Sequence, residues 1–235
     1  VFFPKLGEES FLQERKIVFN EMKGALASAD ARGWHRLSEV LYPDTNYRFN
    51  SGGDPSEIPD LSWEGLKDFH REHYAPSRCL FYFYGNLPLE QHLDYLEERV
   101  LGAAPRLEPL PKIPHQKRWT EPVRVADTYP VTPGEELEER TNVLISWLCT
   151  TPLEQLETLE LAVLDMALTG SDASPLKMAL LKSGLCKEAY AFIDPETADV
   201  PFILMMKGCD EEKVDELEKL IFETLEKIAE DGLPQ

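Results

Sequence analysis

Five histidines, four cysteines and a scatter of carboxylates are the side chains here that could hold a metal or move a proton. His70 and His73 stand three apart, a spacing that puts both rings on one face of a helix. On geometry alone the pair could share a metal; the plainer reading is two helix-end histidines. His35, His92 and His115 are isolated. Glu21 follows the apolar run Ile17-Val18-Phe19 in a helix-patterned stretch, where a buried, unpaired carboxylate would be costly. A solvated helix glutamate is the ordinary alternative. Cys79, Cys149, Cys186 and Cys209 are far apart with no C-x-x-C pair. No disulfide framework is expected, and a reducing compartment is the default. Cys79, Cys149 and Cys209 lie in or beside apolar runs and read as small core residues.

These side chains need elements to position them. Helical spacing runs from Phe11 through Met22 and Leu26 towards Gly33, and resumes at Leu37, Val40 and Leu41. Ser62 caps a helix carrying Trp63, Leu66, Phe69 and His70, which stops before Pro76. Cys79–Tyr84 reads as a buried strand, followed by a helix with Leu89, Leu93, Leu96 and Val100 on one face. From Ala104 to Pro122 five prolines separate charged residues, the composition of a semi-rigid linker. Strands are then expected at Val123–Ala126, Asn142–Cys149, Ala189–Ile193 and Phe202–Lys207. Helices are expected at Leu153–Leu168, Pro175–Leu185 and Glu211–Ala229, the last amphipathic. The two halves end alike, each with a strand, a short turn and a helix. The fold class is therefore α/β (α+β layered), with two related lobes.

Composition narrows the function. The 235 residues are 43% hydrophobic and 29% charged, as in a globular protein rather than a disordered one. A net charge of −19 argues against nucleic acid, since phosphate binding needs a concentrated Lys/Arg surface. The single basic run, Lys112 to Arg118, is short and interrupted by proline. No apolar run approaches the roughly 18 residues of a membrane span. The opening on Val1 rather than methionine, and the close just past a helix stop, point to an internal piece of a longer chain.

The string Val18-Phe19-Asn20-Glu21-Met22-Lys23-Gly24 resembles a segment of the insulinase-like (M16, inverzincin) zinc metallopeptidases, closest to their presequence-protease branch. Leu41-Tyr42-Pro43-Asp44, Ser51-Gly52-Gly53-Asp54-Pro55, Phe69-His70, His73-Tyr74-Ala75-Pro76-Ser77, Tyr84-Gly85-Asn86 and Leu89-Glu90-Gln91-His92-Leu93 follow in family order. The resemblance implies a zinc held by the two histidines of an H-x-x-E-H helix and by a later glutamate, which here matches Glu21. Two imidazoles and one carboxylate leave the metal a position for water. H-x-x-E-H itself is absent, and His70-Arg71-Glu72-His73 is one residue short of it. Leu161, Leu164 and Asp165 stand where a second copy of that motif would hold His, Glu and His, which implies a second half that binds no catalytic zinc. Arg15-Lys16-Ile17 is shorter than the family's usual connection, so the position of Glu14, seven before Glu21, is not assigned a role.

By this resemblance residues 1–103 are the C-terminal part of a first, zinc-bearing homology domain. Residues 104–122 form the proline-rich linker, and 123–235 are the N-terminal part of a second, inactive domain. The parent is expected to be a zinc oligopeptidase that encloses and cleaves unstructured peptides, with this chain inactive alone. Its expected partners are peptide substrates and the remaining domains of the same polypeptide, with no nucleic acid and no membrane. The expected location is cytoplasmic in a bacterium, or an organelle lumen in a eukaryote. The alternative is a non-catalytic binding or scaffold member of the same family.

Overall fold

The structure, a computed structural model, describes residues 1–233. It divides into two units, one of residues 1–24 and 51–112, the other of residues 25–50 and 113–235.

The first unit contains α1 (Glu8–Ala25, but for its last residue), α3 (Trp63–His73) and α4 (Leu89–Leu96), the last continued by a π-turn over Glu97–Leu101. Ser62 caps α3 as its type suggests, its hydroxyl accepting from Gly65 N–H at 3.0 Å. The indole of Trp63 donates to the carbonyl of Leu6 at 2.7 Å, and Arg15 donates to that of Leu61 at 2.8 Å, tying the entry and the middle of α1 to the α3 region. Among the described residues of this unit only Ile58, Ala75 and Pro76 are buried.

Two expectations fail in this part of the chain. Cys79–Tyr84 forms no strand, and Leu80, Tyr82 and Tyr84 are 92%, 80% and 93% exposed. The segment has no partner strand among the described residues, and an isolated strand cannot satisfy its own backbone. Gly33 is not a helix stop: α1 ends at Ala25, and a second helix, α2 (Ala29–Leu41), starts at Ser28 and runs through Gly33. The Ser28 hydroxyl accepts from Ala31 N–H, so that cap sets the boundary. The stretch Arg15-Lys16-Ile17 lies within α1, which is unbroken there.

The second unit holds the core. Its three strands, β1 (Thr141–Thr150), β2 (Glu188–Ile193) and β3 (Val200–Cys209), form an antiparallel sheet in the order β1-β3-β2 among the described residues. β3 is central and paired on both sides, which is why Val200–Met206 reads as one apolar run. Phe202, Leu204 and Met206, with Ala189 and Ala191, face a cluster from α5 (Gln155–Thr169), α6 (Pro175–Ser183) and α7 (Val214–Asp231), including Leu168, Leu176, Leu180, Leu217 and Ile221. The alternate residues meet α2. The Trp34 ring lies 5.9 Å from that of Phe192, Gly33 sits against Leu144, and Asp30 pairs with Lys207 at 2.6 Å. Helices thus cover both faces of one sheet, the α/β layering expected.

Val123–Ala126 is not a strand. Residues 102–140 contain no helix or strand, and Val123 and Val125 are half exposed. Two cysteines also depart from the core reading. Cys79 and Cys149 are exposed, the first because its strand does not form. Cys186 and Cys209 are buried, and burial pushes the Cys209 thiol up to about 12.

Candidate functional site

Glu21 sits in the second turn from the end of an 18-residue helix with no buried residue. The apolar run before it does not bury it. Val18 and Phe19 are only half-buried, Ile17 is 40% exposed, and Glu21 itself is exposed. A solvated carboxylate needs no partner, and among the described residues Glu21 makes no hydrogen bond or ion pair. What holds this turn is its neighbour Met22. Its thioether lies so close to Gly52 that a Cβ there would be 2.2 Å from the sulfur. The flexible end of the Met22 side chain packs against Gly52 and would have to swing aside for any larger residue there. Glu21 is therefore an uncommitted anion on an anchored helix.

His70 and His73 are committed elsewhere. The His70 Nε2 lies 2.8 Å from the carbonyl of Val1 and its ring stacks on Tyr74, centroids 5.0 Å apart. The His73 ring packs on Phe69 at 4.3 Å. His92 stacks on Phe83 at 4.4 Å, and His115 faces Asp199 at 3.3 Å. No group of three or more His, Cys, Asp or Glu that could hold a metal occurs among the described residues. The donor set therefore fits a zinc site in one respect only: Glu21 can supply one anionic oxygen, and the other ligands of a three-ligand site are not among the residues gathered around it.

On α5 the positions Leu161, Leu164 and Asp165 carry other work. Leu161 packs on the core cluster, while Leu164 is 44% exposed. Asp165 accepts from the Thr169 hydroxyl at 2.9 Å, and that hydroxyl accepts from Ala191 N–H at 3.0 Å. The carboxylate thus orients a threonine that ties α5 to β2.

A polar cluster that the sequence reading missed lies in the second unit. Asp199, 2% exposed, sits in the loop before β3. One carboxylate oxygen takes Gln116 N–H at 2.7 Å, and the other takes Arg118 at 3.0 Å and His115 at 3.3 Å. Gln116 also grips Asp44, donating to its carboxylate at 2.8 Å and accepting from its N–H at 2.9 Å. The Tyr42 hydroxyl donates to the Asp199 carbonyl at 3.0 Å, and the Tyr47 hydroxyl accepts from Ala198 N–H at 3.1 Å. Burial pushes the Tyr42 phenol up to about 12. Both carboxylate oxygens of Asp199 are engaged, so the cluster holds segments together rather than leaving that carboxylate free.

A family profile described as the peptidase M16 inactive domain matches residues 60–235. The chain is 34% identical to presequence protease 1, chloroplastic/mitochondrial, of Arabidopsis thaliana over 99% of its own length and 23% of that protein's. It is 33% identical to the mitochondrial presequence protease of Xenopus laevis, covering 99% of this chain and 25% of that one. It is 31% identical to protein HypA of Clostridium perfringens, covering 96% and 23%. It thus spans about a quarter of these relatives. Among solved structures, a peptidase M16 inactive domain from Pseudomonas fluorescens superposes with a TM-score of 0.69 at 17% identity, over 99% of this chain and 54% of the other. Pitrilysin superposes at 0.55 and 19% identity, over 98% and 25%.

Proposed function

The chain belongs to the M16 peptidase family, and from that premise we propose that it is part of a zinc-dependent oligopeptidase that degrades unstructured peptides. The observation that carries the reading is residues 18–24 of α1, where the Glu21 carboxylate is exposed and uncommitted while its neighbour Met22 packs against Gly52. When bound, zinc would supply Lewis-acid polarisation of the scissile carbonyl and a water acidic enough to attack it. Glu21 contributes one anionic ligand. The Arg15–Leu61 and Trp63–Leu6 hydrogen bonds at its helix limit the drift of that ligand. α5 contributes no ligand, because Asp165 is engaged by Thr169. The relatives' names support peptide substrates and an organelle lumen as the location. The division into homology domains, 1–103 and 123–235 with the linker 104–122, belongs to the same proposal.

The test uses the full-length parent. Glu21→Gln removes the anionic ligand with little change of shape, so zinc content and peptide turnover should fall together, by at least tenfold. Normal zinc with normal turnover would make Glu21 an ordinary helix residue. The 235-residue chain alone should retain less than one zinc per molecule and cleave no peptide. A full-length wild-type protein that holds no zinc and cleaves nothing would favour the binding or scaffold reading.

A further inference from the structure

From Ile113 to Arg140 the second unit runs without helix or strand. Its apolar side chains stay wet, with Ile113, Trp119, Val123, Val125 and Leu137 between 44% and 71% exposed. Hydrophobic burial therefore does not hold this segment down. Among the described residues of the segment one alone is buried, and it is polar: Gln116, at 4%. Its amide and side chain make the bonds to Asp199 and Asp44 described above, and Arg118 and His115 reach the other oxygen of the Asp199 carboxylate. The remaining attachments are exposed. Arg124 pairs with Glu218 and Asp215, Glu139 pairs with Lys187, and Glu139 N–H donates to Asp210. Water screens contacts of that kind, and they contribute little.

We propose that residues 113–140 form a strap latched at one point, the Gln116–Asp199–Asp44 clasp, and that the strap docks and undocks as a unit while the sheet stays folded. A buried polar network behaves cooperatively, because losing one partner strands the others. On undocking, Gln116, Arg118 and Asp199 all regain water together, so the opening is local and reversible. Segments with few buried apolar contacts are where such sub-global openings occur. The apolar burial of the sheet does not come from the strap, since β3 is buried by α2 on one face and by α5–α7 on the other.

Limited trypsin digestion of the 235-residue chain, with hydrogen exchange on the same samples, tests this. Gln116→Ala should raise cleavage after Lys117, Arg118 and Arg124 by a common factor of about ten or more. Exchange of the Asp44 amide should rise with it, while amides of Ile203–Met206 stay unchanged. Arg118→Gln keeps Gln116 in place, removes one half-exposed partner and deletes the tryptic site at 118; read at Arg124, it should act in the same direction with a smaller factor. Cleavage unchanged in both variants would overturn the latch. So would a rise shared equally by the sheet amides, which would make Gln116 part of the global fold.

Discussion

Burial that pushes the Tyr42 phenol up to about 12 has a consequence for stability in alkali. Loss of hydration is the main cause; the hydrogen bond with Thr197 opposes it, and Asp194 and Asp199 reinforce it. In the unfolded chain a tyrosine releases its proton near pH 10. Between about pH 10 and 12 the unfolded state therefore holds fewer protons at this site than the folded one, and stability falls as pH rises. Below pH 10 the contribution is fully present. Urea midpoints measured from pH 9 to 12 should decline, and Tyr42→Phe should flatten that decline. An identical slope in the variant would assign the effect to another group. At this scale the sequence was unevenly readable. Glu21 was singled out by the residues around it, but its exposure was not readable, because an apolar run says nothing about what packs on it. Gln116 and Asp199 carried no local signal, since the glutamine's partners lie 83 and 72 positions away in the chain.

Elements that contain their own evidence were the ones the sequence revealed. The Ser62 cap, the apolar run of β3 and the stripe Leu217–Ile221–Leu225–Ile228 of α7 each depend on a few adjacent residues. Cys79–Tyr84 has strand composition but no neighbour among the described residues, and pairing is a property of two segments. A subtler feature ends β3. Gly208 has φ +69°, and a Cβ there would stand 2.5 Å from Lys187 Cγ and 2.8 Å from its Cβ. Gly134 has φ +90° with open space around it, so it isolates the backbone cost. Gly134→Ala should destabilise by about 1 kcal/mol, and Gly208→Ala by roughly 2–4 kcal/mol once displacement of Lys187 is added. Equal urea midpoints for the two variants would show that Lys187 moves aside freely.

Taken whole, nearly all the buried apolar residues among those described lie in the second unit, and that unit is discontinuous in the chain. α2 covers the sheet face bearing Leu144, Tyr190, Phe192 and Met205, yet residues 51–112 intervene before β1 begins. A fragment of residues 113–235 should therefore expose that face, bind a dye for apolar surface and unfold at lower urea. A synthetic peptide of residues 25–50 should reverse both effects. A fragment as stable alone as within the whole chain would show that α2 is dispensable. The same discontinuity sets a timetable during synthesis. α2 emerges early, and its sheet is complete only once β3 has been made, roughly ten to thirty seconds later at ordinary elongation rates. For that interval Trp34 has no Phe192 to meet, and the nascent chain carries an amphipathic helix without its sheet, a face that a holding chaperone can shield.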